Sequence, residues 1–385
     1  MKRIVVSIYI DPDFYPPTIN AILNLAGICN ELVVITRNNS KDDYPFPANV
    51  KLVKKGKYLS VRESERTSFL DKITSFIKFT AALYKYVTGK NTELVILYDP
   101  VPLFSFLMIR KFGVAKNKKI WYHNHDMPNI ALTRKYSIGW WAAKHEHAAM
   151  NGIDFFSLPS DDRLVYYPNW KSINNYFCIP NYPSLKVYNK QTAALNNSEE
   201  IRIIFQGSIG EGHSLEELID LLQQTISGKK IKLILKGSVK EEYKQKLNKL
   251  AEKYNVTDQL TWVGLGPYSE LQKLTSSCHI GIGIHKGIDE VSKTLGTASN
   301  KIYEYAASGL PVILYDIEQF KKYLGKYPWA FFCDGTKETL KGTIENILSR
   351  YDELTMAAKK SFEEELNFET HFKKAVAALQ STQQE

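Results

Sequence analysis

The segment SNKIYEYAASGLPVI, residues 299–313, brings an amide, a cation and a carboxylate close together. Its apolar spacing predicts a short helix that begins at Ser299 or Asn300, either of which is a suitable N-cap, and ends at Gly309. The first backbone N–H groups of a helix have no partner within the helix and favour an anion. Lys301 adds positive charge at the same place, so the segment predicts an anion site.

Glu304 follows this predicted anion site by one helical turn. An ionised carboxylate there can accept two hydrogen bonds from a vicinal diol, such as that of a ribose. The alternative is structural, with Glu304 only complementing the helix dipole and Lys301 only solvated. The preceding segment HIGIGIHKG favours the functional interpretation, because its glycines permit close approach of a ligand and because it places Lys286 near its end.

Length and composition indicate a two-domain globular protein. The 385 residues exceed one ordinary core, and the hydrophobic fraction of 44% and the charged fraction of 24% are typical of such proteins. The four cysteines form no Cys-x-x-Cys pair, which argues against a disulfide scaffold or a zinc ribbon and favours the cytoplasm. The start, MKRIVVSIYIDPD, predicts a strand rather than a signal peptide, and no apolar stretch is long enough to span a membrane.

The net charge is unevenly distributed along the chain. Residues 1–185 contain 24 basic and 15 acidic residues, whereas residues 186–385 contain 26 of each, so the whole formal excess of +9 lies in the first half. This asymmetry indicates an anionic partner for the first half, such as nucleic acid, a membrane surface or a phosphorylated substrate.

Strand and helix patterns alternate in both halves. Short runs that are apolar almost throughout predict parallel strands buried on both faces. The predicted strands are RIVVSIYI, ELVVITRN, VKLVKK, ELVILYD, KIWYHN, IDFFSLPS and FCIPNYPS in the first half, and IRIIFQG, IKLILKG, LTWVG, HIGIGIH and LPVILYD in the second. The predicted helices include PPTINAILNLAGIC, SFLDKITSFIKFTAALYKYV, SLEELIDLLQQTI, EEYKQKLNKLAEKY, SELQKLTSS and NKIYEYAAS.

This alternation predicts two doubly wound α/β domains, residues 1–185 and 186–361. A Pro- and Asn-rich linker is predicted over residues 178–200, and a C-terminal helix of about residues 362–385 is expected to pack back on the first domain. Ligands of such sheets bind beyond the carboxyl ends of the strands, so we expect the site in the cleft between the domains.

The second half also resembles the nucleotide-sugar domain of GT-B glycosyltransferases of the family 4 type, the glycosyl transferases group 1. The matching segments are IIFQGSIGEGHSLEELI, LILKGS, LTWVGLGPYSELQKLTSSCHIGIGI and, most specifically, SNKIYEYAASGLPVI. The first half is similar more loosely, through WYHNHDMP, EHAAMNGIDFFSLPSDDR and CIPNYPS. The resemblance covers most of the chain and implies the GT-B fold, with two Rossmann-like parallel-sheet domains facing a cleft.

The resemblance also implies roles for particular residues. In the family, the glutamate matching Glu304 holds the donor ribose, helix amides and nearby cations hold the diphosphate, and the loop after Gly264 lies beside the base. A histidine of the first domain contacts the donor sugar, which points to His125, with His123 second and Asp126 beside them, as catalytic candidates. The implied donor-binding residues are Ser299, Asn300, Lys301, Glu304, Gly207, Ser208, His213, Lys236, Gly264 and Lys286.

The sequence departs from the family pattern around the donor. Many members carry a second glutamate, eight positions before the one matching Glu304, where this chain has Gly296. The Arg and Lys usual after the first strand of this domain are replaced by Ser208 and His213, of which the histidine is a weaker cation near neutral pH. The cations left to compensate are Lys301, Lys286 and Lys236. Two alternatives therefore stay open, a nucleotide-sugar epimerase of the same fold and a catalytically silent nucleotide-sugar-binding or scaffold subunit.

A metal site is a competing interpretation of the first-domain histidines. His123 and His125 form a His-x-His pair, which on a strand places both rings on one face. No third and fourth ligand follows at short spacing, so we predict neither a metal nor a cofactor. The Asp-Pro-Asp of residues 11–13 resembles the metal-binding motif of the GT-A fold, but its place at the end of the first strand favours loop capping.

The expected reaction is transfer of a sugar from a UDP- or GDP-sugar to an acceptor hydroxyl, with retention of configuration implied by the resemblance. The expected setting is surface polysaccharide or glycolipid synthesis. The basic first half predicts an anionic or lipid-linked glycan acceptor, with peripheral contact to an anionic membrane at its inner face and no nucleic acid.

A helix predicted over residues 68–87 supports the membrane contact. Its predicted apolar face contains Phe69, Ile73, Phe76, Ile77, Thr80 and Leu83, with Lys72, Lys78 and Lys85 near its borders. The alternative is that this face packs on the sheet. Trp140 and Trp141 suit a lipid interface.

Overall fold

The structure is a computed structural model that describes residues 1–41, 43–59, 67–111, 113, 118–127, 130–131, 133–173, 175–188, 195, 198–286 and 294–381. The chain divides into two compact units. The first unit is Met1–Pro180 with His371–Glu385, and the second unit is Asn181–Thr370. Of the predicted linker, residues 189–194 and 196–197 lie outside the described residues.

The unit boundaries differ slightly from the predicted ones. Tyr182 lies in the second unit, where its ring packs on Tyr303 with centroids 4.3 Å apart. The end of the chain forms two helices in place of one, and the second of them contributes Phe372, whose ring stacks on Trp121 at 5.7 Å within the first unit.

The first unit contains a sheet whose seven strands pair in parallel in the order β3-β2-β1-β4-β5-β6-β7. Its inner strands are buried because helices cover both faces, as continuous apolar runs require. The strands are β1 (Arg3–Ile8), β2 (Glu31–Arg37), β3 (Val50–Lys55), β4 (Thr92–Tyr98), β5 (Lys119–His123), β6 (Phe155–Leu158) and β7 (Asn175–Cys178). The described α-helices before residue 180 are α1 (Pro16–Leu25), α2 (Phe69–Val87), α3 (Pro100–Arg110) and α4 (Ile138–Ala149).

Helix α2 buries a different face from the predicted one. Phe76 and Leu83 are buried, as the packing alternative required, but Phe69 is 64% exposed and Ile77 is 59% exposed. The buried line is instead completed by Phe79 and other residues that recur every three or four positions, which is the spacing of one helix face. Part of the apolar surface of α2 is therefore left uncovered.

The second unit contains a second seven-stranded sheet, in the order β11-β10-β8-β12-β13-β14 with β9 antiparallel to β10. Its strands are β8 (Glu200–Ile209), β9 (Thr225–Ile226), β10 (Lys229–Val239), β11 (Leu260–Gly264), β12 (Ile280–Gly283), β13 (Val312–Tyr315) and β14 (Ala330–Cys333). The remaining described helices are α5 (Leu215–Leu221), α6 (Glu241–Lys253), α7 (Tyr268–Ser276), α8 (Asn300–Ala307), α9 (Glu318–Leu324), α10 (Lys337–Ser349), α11 (Tyr351–Glu364) and α12 (Phe368–Ser381).

Two local predictions in the second unit were wrong. The helix predicted from SLEELIDLLQQTI ends at Leu221, and Thr225–Ile226 is a strand because it pairs with the start of β10. Strand β8 also continues through Ser208 to Ile209, although Ser208 was predicted to follow the strand. It can do so because β10 offers Gly237 opposite, where a Cβ would lie 1.8 Å from the carbonyl oxygen of Gly207.

Among the described helices, none has the length and apolar character needed to cross a membrane.

Candidate functional site

Helix α8 carries the segment that the sequence singled out. Ser299 is the N-cap, but its side chain does not bond the amides that follow. The side-chain oxygen of Asn300 has no hydrogen-bond partner among the described residues. Gly309, at φ +76°, ends the segment as predicted. The start of the helix therefore has the properties of an anion site, with amides that are not capped by a side chain.

Glu304 is buried in a cluster of hydrogen bonds. Gln206 Nε2, near the end of β8, donates to its Oε2 at 2.5 Å, and Tyr268 lies beside the carboxyl group. Gln206 is fixed in turn by Thr275, whose hydroxyl donates to Gln206 Oε1 at 3.0 Å. Burial raises the pKa of Glu304 to about 7, although the neighbouring Tyr268 and Gln206 side chains oppose this shift. The carboxyl group therefore changes its charge near neutral pH.

The charge of Lys301 also depends on pH near neutrality. Its ammonium nitrogen lies over the Phe205 ring, 4.0 Å from the centroid. Desolvation lowers the pKa of Lys301 to about 7. A phosphate at the helix start would favour the charged form, because opposite charges stabilise each other in a poorly solvated site.

Other predicted residues lie at the carboxyl ends of neighbouring parallel strands. Gly207 and Ser208 are exposed at the end of β8, and Gly264 ends β11. Between them, Lys236 of β10 donates from Nζ to the carbonyl oxygen of Gly264 at 3.0 Å, and burial lowers the pKa of this lysine. These residues share one edge of the sheet, as the strand order requires.

His213 is an uncharged member of the predicted donor-binding set. Its Nδ1 bonds to the carbonyl oxygen of Ile284 at 2.7 Å. Burial, with the charge of Lys301 as second cause, lowers the pKa of His213 to about 4, so the ring is neutral at pH 7. Lys286 forms an ion pair with Glu217 of α5 at 3.1 Å, so its charge is partly compensated.

Gly296 is explained by its packing. A Cβ at this position would lie 2.4 Å from two ring carbons of Tyr323, and the Gly296 carbonyl oxygen accepts a hydrogen bond from the Tyr303 hydroxyl at 2.9 Å. The space that a longer side chain needs is filled by the Tyr323 ring.

In the first unit, His123 and His125 are part of a buried hydrogen-bond chain. His123 Nδ1 bonds to Ser157 Oγ at 2.7 Å, His123 Nε2 to His125 Nδ1 at 3.1 Å, and His125 Nε2 to Thr18 Oγ1 at 2.8 Å. Desolvation lowers the pKa of His123 to about 3 and that of His125 well below its usual value, so both rings are neutral. Because one proton lies between the rings, the tautomer of one ring determines the tautomer of the other.

Asp126 is the exposed member of the HNHD segment and accepts a hydrogen bond from the Tyr15 hydroxyl at 2.5 Å. The backbone before it is held by Asp99, whose Oδ1 accepts from the His125 amide at 2.8 Å, and by Arg163, which donates to the His125 carbonyl oxygen. Burial, followed by the nearby charge of Asp126, raises the pKa of Asp99 to about 8. The segment thus exposes the side chain of Asp126 to solvent, while Asp99 and Arg163 hold the backbone of His125 before it.

The described residues contain no group of three or more histidine, cysteine or carboxylate side chains suited to a metal ion. The Asp-Pro-Asp at residues 11–13 caps a turn, since Asp11 Oδ1 accepts from the Asp13 amide at 3.1 Å. Asp11 also pairs with Lys54 at 3.0 Å.

Residues 189–364 match the model of the family described as glycosyl transferases group 1. This segment is a group 1 glycosyltransferase domain. All ten predicted donor-binding residues lie inside it. This family match indicates a glycosyltransferase. No curated protein matches the sequence at a significant level.

Solved structures resemble the whole chain. Sucrose-phosphate synthase from Thermosynechococcus elongatus is 14% identical, with 99% of both chains covered and a TM-score of 0.69. Anabaena HepE, in complex with UDP and glucose, is 11% identical, with 99% and 100% covered and a TM-score of 0.67. WaaG, a glycosyltransferase involved in lipopolysaccharide biosynthesis, is 11% identical, with 97% and 98% covered and a TM-score of 0.63. The predicted fold, GT-B with two Rossmann-like parallel-sheet domains, is confirmed.

The sequence did not reveal the partners that hold the predicted residues. In the group 1 domain these are Gln206, Tyr268 and Thr275 around Glu304. In the first unit they are Asp99 and Arg163. Gln206 lies near the carboxyl end of β8, and Asp99 directly follows β4. Polar residues near these strand ends commonly face ligands, and this position was the available signal.

Proposed function

We propose that the chain transfers a glycosyl group from a nucleotide-diphosphate sugar to an acceptor hydroxyl. The observation that supports the proposal is the start of helix α8, where the amides have no side-chain cap, Asn300 and Lys301 begin the helix, and Glu304 follows one turn further. This helix belongs to the segment that matches the group 1 model. An ionised Glu304 has lone pairs left, beyond the one used by Gln206, to accept from the two hydroxyls of a ribose.

The diphosphate would lie against the helix amides, with Lys301 gaining its proton as the ligand binds. Amides and a cation that are already in place stabilise the negative charge of the departing nucleoside diphosphate, which is where such a reaction accumulates charge. Ser299, Gly207, Ser208 and Lys236 are proposed to line the same donor, and Gly264 to lie beside the base. HepE has been solved with UDP-glucose, which supports testing UDP-sugars first.

For the acceptor we propose an anionic or lipid-linked glycan, used in making a surface polysaccharide or glycolipid at the cytoplasmic face of a membrane. The basic excess of residues 1–185 supports this choice. His125, with His123 and Asp126, stays our candidate for contact with the transferred sugar. Because the two histidine rings are bonded to each other and buried, Asp126 is the member that faces solvent. We further propose retention of configuration and no requirement for a metal ion.

A donor screen tests the proposal. Incubation with UDP- and GDP-sugars, with hydrolysis, epimerisation and transfer followed by anion-exchange chromatography, should show slow hydrolysis of one donor and transfer when an acceptor lipid is added. Binding by calorimetry identifies the base. Epimerisation without transfer would replace the proposal by the epimerase alternative, and no nucleotide binding at all would refute it.

A catalytically silent nucleotide-sugar-binding subunit remains the second candidate. It is favoured by the neutral state of His213 and by the ring of Tyr323 in the space beside Gly296. Tight donor binding without hydrolysis, epimerisation or transfer under any acceptor condition would support it.

A further inference from the structure

The outer surface of helices α2, α3 and α4 exposes many large apolar side chains. Leu70, Ile77 and Tyr84 are 74%, 59% and 48% exposed on α2, and they recur every seven residues along one line of the helix. The apolar side chains that form this outer surface are Phe69, Leu70, Ile77, Tyr84, Met108 and Trp141.

Ring contacts show that the three helices pack against one another beneath these exposed side chains. Phe76 of α2 packs on Phe104 of α3 with centroids 6.2 Å apart. Phe104 in turn contacts His145 of α4 at 5.8 Å, and His145 stacks on Trp141 at 5.6 Å. All of these contacts lie within the first unit.

The same surface carries cations that form no ion pair with any described acidic residue. Lys78 and Lys85 each follow an exposed apolar residue of α2, and Lys144 lies over Trp140 and Trp141 at 5.0 and 5.5 Å. Among the described residues, the ion pairs of the first unit involve other lysines and arginines: Arg3–Glu31, Lys54–Asp11, Lys54–Asp43 and Lys119–Asp154.

We propose that this outer surface docks on an anionic lipid bilayer, with α2 lying parallel to the membrane plane. An apolar line with lysines beside it, and tryptophans under a cation, is the composition of an interfacial surface. A second copy of the chain fits less well, because it would bring Lys78 and Lys85 towards the same lysines of its partner. The inference rests on the proposed function for its purpose, since a docked first unit would meet a lipid-linked acceptor at the bilayer.

Vesicle co-sedimentation tests the surface. The full chain should bind vesicles of phosphatidylglycerol and phosphatidylcholine at low salt, and should bind pure phosphatidylcholine far more weakly. Each lysine near an anionic surface contributes roughly fivefold to partitioning, so K78Q/K85Q should bind about 25-fold more weakly. L70S/I77S should also bind more weakly, by more than about tenfold, because exposed apolar area is then no longer buried in the interface.

Matched controls separate this surface from general charge and hydrophobicity. K249Q/K253Q changes two exposed lysines of α6, and V165S/M356S changes two side chains that are 77% and 67% exposed elsewhere. Both controls should bind vesicles like the unmodified chain. Equal losses in the controls and the surface variants, or no binding of the unmodified chain to anionic vesicles at low salt, would overturn the proposal. A dimer in light scattering that L70S/I77S dissociates would assign the surface to a second copy and overturn it as well.

The two proposals fail separately. UDP-glucose binding, measured by calorimetry on the same proteins, should be unchanged in K78Q/K85Q and L70S/I77S. Vesicle binding without binding of any UDP- or GDP-sugar would refute the glycosyl-transfer proposal and leave the docking surface standing.

Discussion

Ligand binding to the group 1 domain should depend on pH through two residues acting in opposite directions. Glu304 has a pKa of about 7 because it is buried, and it must be ionised to accept hydrogen bonds from a ribose diol. Lys301 has a pKa of about 7 for the same reason, and it must be protonated to attract a diphosphate. Affinity should therefore fall in acid through Glu304 and fall in alkali through Lys301.

The magnitudes follow from linkage. If only the ionised Glu304 binds the diol, affinity for a nucleoside should fall about 30-fold between pH 8 and pH 5.5. A nucleoside has no phosphate, so it should show this acidic decline alone. A nucleotide sugar should add an alkaline decline above pH 7, as a charge-assisted hydrogen bond of roughly 1.5–3 kcal/mol is lost with the proton of Lys301.

The assay compares a nucleoside with its nucleotide sugar, uridine with UDP-glucose or the guanosine pair, by calorimetry from pH 5.5 to 8.5. Neither ligand of a pair ionises substantially in that range, so the pH dependence belongs to the protein. Glu304→Gln should lose roughly 1.5–3 kcal/mol of nucleoside binding at pH 8 and show no acidic decline. Lys301→Gln should keep the acidic decline and lose the alkaline one.

Two results with Glu304→Gln would contradict this reasoning. If Glu304→Gln binds the nucleoside at pH 8 as tightly as the unmodified chain, Glu304 does not hold the ribose. If the acidic decline persists in Glu304→Gln, it comes from another group and the reasoning from burial is refuted.

Three further predictions concern stability and the reaction. The raised pKa of Glu304 means that its contribution to stability is fully present below its unfolded value of 4.5 and is lost as pH rises to about 7. Glu304→Gln should therefore raise the free energy of unfolding at pH 8 by up to about 3 kcal/mol and have little effect at pH 4, as urea denaturation would show. Gly296→Ala should destabilise the protein by about 1–3 kcal/mol, because the new Cβ would contact the Tyr323 ring. Gly342→Ala in helix α10, where a Cβ meets nothing within 4 Å, should stabilise the protein by about 0.5–1 kcal/mol. Thermal melts that rank the two variants otherwise would contradict the packing argument. Transfer should continue in EDTA, and activity lost in EDTA but restored by Mn²⁺ or Mg²⁺ would show that a metal is required.

The sequence predicted those features that local signals determine. Buried strands such as β2 and β4 are continuous apolar runs, and helix α8 has a terminating glycine, Gly309, so their places were readable. The buried face of helix α2 could not be predicted in this way. Ile77 and Phe76 are both strongly apolar, and only packing against the neighbouring sheet decides which of them is buried. The sequence also could not predict which ionisable groups are charged, because the neutral state of His213 follows from its burial in the folded chain.

The coupled histidines have an experimental use. An imidazole N–H held between His123 and His125, which are 3% and 2% exposed, should exchange slowly with water and give a resolved proton resonance far downfield. The outer ring nitrogens bond to Ser157 and Thr18. Any shift in the preferred tautomer therefore moves the protons of both of these hydrogen bonds together. In ¹⁵N-labelled protein, the ring nitrogen shifts of His123 and His125 would thus report in solution whether a bound acceptor reaches these two histidines.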